Sequence, residues 1–291
     1  MGKTKPKLLV ICGPTATGKT QLVLQLAKKL DGILVSADSR QVYKYMDIGT
    51  GKDVKNILGY NLVNPNEESS VSQYSRFASQ KIQEIQGKNK LPILVGGTGL
   101  YIKAVIDNIA TINVAPDKNL REKLHNKTID ELYEILVKIN SEKAKLMNES
   151  DRKNSRRLVR AIEIVNSNLK NVADKPEYDV LMIGLMADKK DLKERIEKRV
   201  EERIRMGFEK EVDFLKENGF WNGAPQKTLG YKDWPDIEKW KTEEFKYAKR
   251  QMTWFKKEKR INWFDIASKA YEKEVEKLAQ RWYAQADAKE S

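Results

Sequence analysis

The chain has 291 residues, 40% of them hydrophobic, and a formal net charge of +13. That length accommodates one large α/β domain or a core with an insertion, while the single cysteine excludes an intrachain disulfide and, with one histidine, a Cys/His zinc site. No uninterrupted apolar run approaches a membrane span, and the basic start leads into a hydrophobic strand without a signal-peptide h-region and cleavage site, which places the protein in the cytoplasm. The charge excess favours a polyanionic partner, usually RNA or DNA, with solubility alone as the competing explanation.

The apolar run from Leu8 to Cys12 reads as a strand with Cys12 buried at its end. It enters Gly13-Pro14-Thr15-Ala16-Thr17-Gly18-Lys19-Thr20, and a helical pattern follows from Gln21 to Leu30. This is G-x-x-x-x-G-K-[ST] between a strand and a helix, the context a P-loop needs. The glycines let backbone N–H groups converge on phosphate oxygens, the helix adds its positive end, Lys19 adds a full charge, and the Thr20 hydroxyl can ligate Mg²⁺. Such a loop is built for a di- or triphosphate. Asp31-Gly32 stops the helix, and Ile33 to Ala37 reads as a buried parallel strand that delivers Asp38 at its carboxyl end, followed by the polar cluster Ser39-Arg40-Gln41-Val42-Tyr43. A helix over about 72–86 leads to a third strand, Leu91 to Val95, which empties into Gly96-Gly97-Thr98-Gly99-Leu100-Tyr101. Three strands ending in polar or glycine-rich loops predict one ligand crevice at the carboxyl edge of a sheet.

From about Pro116 to Lys175 long helical patterns rich in Lys, Glu and Asn replace the strand signals. The expected organisation is therefore α/β: a P-loop NTPase-like parallel sheet flanked by helices, formed by 1–115 and 176–291, with an all-helical insertion over 116–175. His125 falls in this charged stretch and reads as a solvated surface group. Asn154-Ser155 can cap a helix whose Leu158, Val159, Ile162 and Val165 form an apolar stripe, while Arg156 and Arg160, four apart, share another face. With no acidic partner evident on that face, an anion is their natural neighbour; a solvated basic face is the alternative. Tyr178 to Leu185 restores strand character, and Lys189 to Glu217 reads as helix carrying Arg195, Arg199, Arg203 and Arg205 among Glu197, Glu201 and Glu202. One of these arginines can close over phosphates, but spacing does not choose which. Tyr247 to Lys257 interleaves Lys and Arg with Trp254 and Phe255, which suits RNA stacking or, equally, the core face of a helix. Asn262 to Asp265 reads as the last strand, and a polar helical tail beyond Ala267 can cover the core.

Several of these stretches together resemble one family, the tRNA dimethylallyltransferases. They are Gly13–Thr20, Ser36–Lys44 with Met46–Thr50, Gly96–Tyr101, Arg156–Ala161, Gly230-Tyr231-Lys232 and Ala248-Lys249-Arg250-Gln251, in order and over nearly the whole chain. The resemblance implies transfer of a dimethylallyl group from dimethylallyl diphosphate to N6 of adenosine 37 in the anticodon stem-loop of tRNAs reading codons that start with U. By the same resemblance Asp38 is the base, Thr98 orients the amine or the bridging oxygen, and Lys19, Arg199 and Thr20 with Mg²⁺ hold the diphosphate on the loop Gly13 to Thr20. Contacts to tRNA are implied for Asp38, Ser39, Arg40, Gln41 and Thr98, for Arg121, for Arg156, Arg157, Leu158, Val159 and Arg160, and for Thr228, Gly230, Tyr231 and Lys232. A monomer of the bacterial form, without the zinc finger of some eukaryotic relatives, is expected. Adenylate isopentenyltransferases use the same donor with a free nucleotide as acceptor, but that small acceptor gives no reason for the basic stretch from Pro116 to Lys175.

Overall fold

The computed structural model describes residues 5–107, 109–167 and 178–285. The chain divides into two compact units, 1–107 with 176–291, and 108–175. The second unit thus begins ahead of the compositional change at Pro116, and its expected end at Lys175 lies outside the described residues.

In the first unit, β1 (Lys7–Cys12), α1 (Lys19–Lys29), β2 (Gly32–Ser36), α2 (Val71–Gln86), β3 (Leu91–Gly96) and α3 (Gly99–Ile106) come before the second unit. Helices α4 (Lys118–Leu124), α5 (Ile129–Ile139), α6 (Ser141–Leu146), α7 (Glu149–Arg152) and α8 (Ser155–Asn166) form the second unit. The chain then returns through β4 (Asp179–Met186), α9 (Lys189–Arg205), α10 (Phe208–Glu217), α11 (Ile237–Phe255), β5 (Ile261–Asp265) and α12 (Tyr271–Ala284).

The five strands form one parallel sheet in the order β2-β3-β1-β4-β5. Parallel strands need long crossovers that cover both faces, so their sequences are continuously apolar. Leu8, Val10 and Cys12 of β1 face a core layer with α2 and α3, where Tyr74, Ala78, Ile82 and Ile102 are buried. Leu9 and Ile11 face the opposite layer with Leu22, Val23 and Leu26 of α1. That layer is closed by α12, whose Val275 and Ala279 are fully buried, so the polar tail does cover the core. Burial in this environment pushes the Cys12 thiol up to about 12.

Two local differences from the sequence pattern have clear causes. The single helix expected from Lys189 to Glu217 is two, because Gly207 adopts φ +99° between α9 and α10 and breaks the helical path at a conformation side chains disfavour. Phe255 is fully buried and Trp254 packs against the same core layer, so these aromatics are core and not a stacking platform. In the second unit, Leu124, Leu132, Leu136, Leu158, Ala161 and Ile162 form the core. A capping box joins Thr128 and Glu131 at the start of α5, and the Asn154 side chain accepts from the Arg157 N–H at the start of α8. His125 is exposed.

Candidate active site

Because β3 lies between β2 and β1, the loops leaving all three strands meet at the carboxyl edge of the sheet. The loop after β1 is held tightly. Gly13 has φ +135°, and a Cβ there would stand 2.4 Å from the Leu185 carbonyl oxygen of β4, so only glycine fits. Thr17 Oγ1 donates to the Pro14 carbonyl at 2.9 Å, and Lys19 Nζ donates to the same oxygen at 2.6 Å. Burial and the nearby Arg199 guanidinium push the Lys19 amine down to about 8. Arg199, from α9, also donates to the Thr15 hydroxyl.

The other two loops interlock. Thr98 N–H donates to the Ala37 carbonyl at 3.0 Å, Ser39 N–H donates to Thr98 Oγ1 at 2.9 Å, and Thr98 Oγ1 donates to Ser39 Oγ at 3.2 Å. Asp38 Oδ1 accepts from Arg40 N–H at 2.9 Å, with Arg40 Nε 3.7 Å away. Gln41 accepts from Ser36 Oγ at 2.8 Å and donates to the Gly51 carbonyl at 3.0 Å, which braces the following loop. That loop is anchored from α10, where the Glu211 carboxylate accepts from the backbone N–H groups of Asp47, Ile48 and Gly49 at 2.8–3.0 Å and from the Tyr231 hydroxyl at 2.6 Å.

A cavity of about 800 Å³ opens over these loops, and its walls include Thr15, Ala16, Gly18, Lys19, Thr20, Asp38, Arg40, Gln41 and Arg199. The motif after β1, Asp38 and Arg199, which are far apart in sequence, therefore share one cavity. Lys19 and Arg199 bring positive charge to its lining, and Asp38 brings a carboxylate.

Three residues of α11 tie this arrangement together, and sequence reasoning gave two of them no role. Gln251, part of the Ala248–Gln251 match, accepts from Thr15 N–H at 2.9 Å and donates to the Gly97 carbonyl at 3.0 Å, clasping the loops after β1 and β3. A Cβ on Gly97 would lie 2.1 Å from Gln251 Nε2, which explains the second glycine of Gly96-Gly97. Glu244 is buried against Arg40 and Arg203, and the Tyr247 ring lies 4.5 Å from the Arg40 guanidinium carbon. The signal was present: Trp240, Glu244, Ala248, Gln251 and Phe255 fall on one helical stripe, so two polar groups sit on an otherwise apolar face.

Other predicted residues take different places. Thr228 and Tyr231 are buried, Tyr231 completely, so Lys232 is the member of that stretch with a side chain in solvent. In the second unit Leu158 is a core residue. Arg160 does have an acidic partner: its Nη1 donates to Glu163 Oε2 at 3.0 Å, and its Nη2 donates to the carbonyls of Thr111 and Val114 at 2.9 and 2.8 Å. Arg121 donates to Glu163 through Nε at 2.6 Å. Burial raises the Glu163 carboxyl, but the hydrogen bonds from Arg121 and Arg160 outweigh it and hold the group below the ordinary carboxylate range. Contrary to expectation, Arg160 therefore has Glu163 as an acidic neighbour on its own helix. Arg156 is exposed, and Arg157 pairs with Asp151.

Among the described residues no helix is long and apolar enough to cross a membrane. A profile described as IPP transferase matches residues 41–258, and one described as isopentenyl transferase matches residues 6–61. The chain is 38% identical to the tRNA dimethylallyltransferase of Finegoldia magna, over 90% of this chain and 92% of that protein. It is 36% identical to that of Carboxydothermus hydrogenoformans, over 94% and 96%. The solved structure of the full-length tRNA isopentenylpyrophosphate transferase of Bacillus halodurans is similar with a TM-score of 0.72 at 31% identity, covering 98% of this chain and 99% of that one. With a fold, a cavity and a full-length sequence similarity that all agree, the chain belongs to the tRNA dimethylallyltransferase family.

Proposed function

We propose that this protein transfers a dimethylallyl group from dimethylallyl diphosphate to N6 of adenosine 37 in the anticodon stem-loop of tRNAs reading codons that start with U. The observation that carries this reading is that Lys19, Arg199 and Asp38 line one cavity. The diphosphate lies on the loop from Gly13 to Thr20, where Lys19 and Arg199 neutralise the charge that grows as the bridging C–O bond breaks. An adenine amine is a weak nucleophile because its lone pair is delocalised into the ring. Asp38 takes one N6 proton as the new N–C bond forms, and diphosphate leaves with the electron pair of the broken bond. Thr98, fixed by Ser39, orients the incoming amine. The allylic carbon gains cationic character, so the closed loops around Gln251 keep water away.

Thr20 lines the cavity beside Lys19 and offers a hydroxyl, the oxygen donor type that Mg²⁺ takes. Thr20 would hold the ion, which would supply charge neutralisation to the leaving group. The target base must leave its stack to reach Asp38. Ser39 and Gln41 border its path, the Arg40 guanidinium being turned to Glu244, and the basic residues Arg121, Arg156, Arg157 and Lys232 serve tRNA phosphates. The protein works in the cytoplasm as a monomer.

Purified protein given radiolabelled dimethylallyl diphosphate, Mg²⁺ and either unmodified tRNA containing A36-A37-A38 or AMP should label the tRNA alone. Label in AMP alone replaces the acceptor, and no label in either overturns the reading. Asp38→Ala should abolish transfer, by at least about 10²-fold, while tRNA affinity by filter binding stays within a few-fold. Near-normal turnover removes Asp38 as the base.

A further inference from the structure

The cavity wall behind Asp38 contains a buried group of charges that the reaction as described does not use. Arg40, Glu244 and Arg203 have side chains only 11%, 3% and 4% exposed. One oxygen, Glu244 Oε1, accepts from Arg40 Nη1 at 3.3 Å and from Arg203 Nη1 at 3.2 Å. Among the described residues, the other oxygen of Glu244, the Nε of Arg40, and the Nε and Nη2 of Arg203 find no hydrogen-bond partner. Arg199 closes the row: a Cβ on Gly51 would lie 2.3 Å from Arg199 Nη2 and 2.7 Å from Arg203 Nη2, so both guanidinium groups border one glycine. Three guanidinium groups thus stand near two carboxylates, Asp38 and Glu244, with Arg203 and Glu244 buried and Asp38, Arg40 and Arg199 lining the cavity.

An unpaired buried charge is strongly unfavourable, so each guanidinium seeks the nearest anion. Arg40 has two to choose from. Its Nη1 is committed to Glu244, while its Nε lies 3.7 Å from Asp38 Oδ1, too far for a hydrogen bond. Burial raises the Glu244 carboxyl, but the fields of Arg40, Arg203 and Arg199 more than offset this and keep it ionised. We infer that Glu244 is a positioning residue for the transfer reaction: its charge keeps the Arg40–Asp38 ion pair short of a hydrogen bond between guanidinium and carboxylate, which leaves Asp38, held at Oδ1 by the Arg40 backbone N–H, able to accept the proton from the acceptor amine. Without that charge, Arg40 closes the gap to Asp38, and a carboxylate locked in a charge-assisted pair is a poorer proton acceptor. The diphosphate half of the cavity loses nothing by the change, since one fewer negative charge stands behind Arg199. The inference rests on Asp38 being the base, as proposed above.

The test is the turnover of Glu244→Gln, which keeps the shape and removes the charge, measured at saturating tRNA beside the binding of inorganic diphosphate. The kcat should fall at least about tenfold while the diphosphate dissociation constant stays the same or tightens. Adding Arg40→Gln to Glu244→Gln removes the guanidinium that would lock Asp38, and it should recover kcat at least about threefold. A folding defect alone predicts neither the split nor the recovery. Because the double variant removes one charge of each sign, it also provides the test if Glu244→Gln alone does not fold; a folded double variant should then retain kcat within about tenfold of the wild type. The inference is overturned if Glu244→Gln keeps kcat within twofold, if diphosphate affinity falls in parallel with kcat, or if the folded double variant turns over no faster than Glu244→Gln or misses that tenfold range. Wild-type protein that transfers no label fails the reaction assignment and this inference together, whereas an active wild type with an unaffected Glu244→Gln fails the inference alone.

Discussion

Lys19 is held in the ligand-free protein at a cost. Its amine is pushed down to about 8 by burial and by Arg199, against an ordinary value of 10.5. Between those two values the unfolded chain binds more protons than the folded one, so this residue makes the ligand-free protein more stable as pH rises through that window. Lys19→Met should flatten that rise and, at neutral pH, raise ligand-free stability by on the order of 2 kcal/mol after allowance for solvent access. Denaturant melts at pH 7 and pH 9 check both. Added inorganic diphosphate should stabilise the wild type and have little effect on the variant. Its affinity for the wild type should decline above about pH 8, by up to tenfold per pH unit, because the anion then has to restore the missing proton. Asp38 and Lys19 were legible in the sequence because a motif or a strand end marks each. Glu244 showed only as a polar group on an apolar helical stripe, since nothing in a one-dimensional pattern says that it will meet Arg40, 204 residues away.

Helix α8 carries two arginines that the sequence treats alike and the fold treats differently. Arg156 is exposed, whereas Arg160 is clamped to Glu163 and to two backbone carbonyls. Arg156→Ala should leave the melting curve unchanged, weaken tRNA binding, and reduce the slope of log affinity against log salt by up to about one. Arg160→Ala should instead destabilise the second unit by about 2 kcal/mol, because Glu163 stays buried with less compensation and two carbonyls lose a donor. Thermal melts alongside binding titrations at several salt concentrations separate the two. Element boundaries were otherwise readable where apolar period and caps coincide: Asn154 caps α8 as expected, and β2 begins at Gly32, one residue ahead of the expected Ile33. They were misread where a single glycine decides, as Gly207 does between α9 and α10, because the same residue inside a helix and at its end looks identical in sequence.

For the whole molecule, a net charge of +13 makes the association with tRNA strongly salt-dependent. If about six phosphates are neutralised, affinity should fall by on the order of 10³ between 50 and 200 mM monovalent salt, a change that fluorescence anisotropy measures directly. A salt-independent affinity would move recognition away from the basic surfaces. The order of the strands sets a different constraint. β1 sits at the centre of the sheet, pairing with β3 through Leu9 and Ile93 and with β4 through Leu8 and Val180. At a synthesis rate of about 5–20 residues per second, its second neighbour leaves the ribosome many seconds after β1 itself. During that interval the side of β1 that will pair with β4 is an open template for strand pairing with another chain. The local contacts of the helical unit can form meanwhile. The first strand to be made is therefore among the last to be sealed, and a nascent chain stalled before Asp179 is the form of this protein most exposed to aggregation.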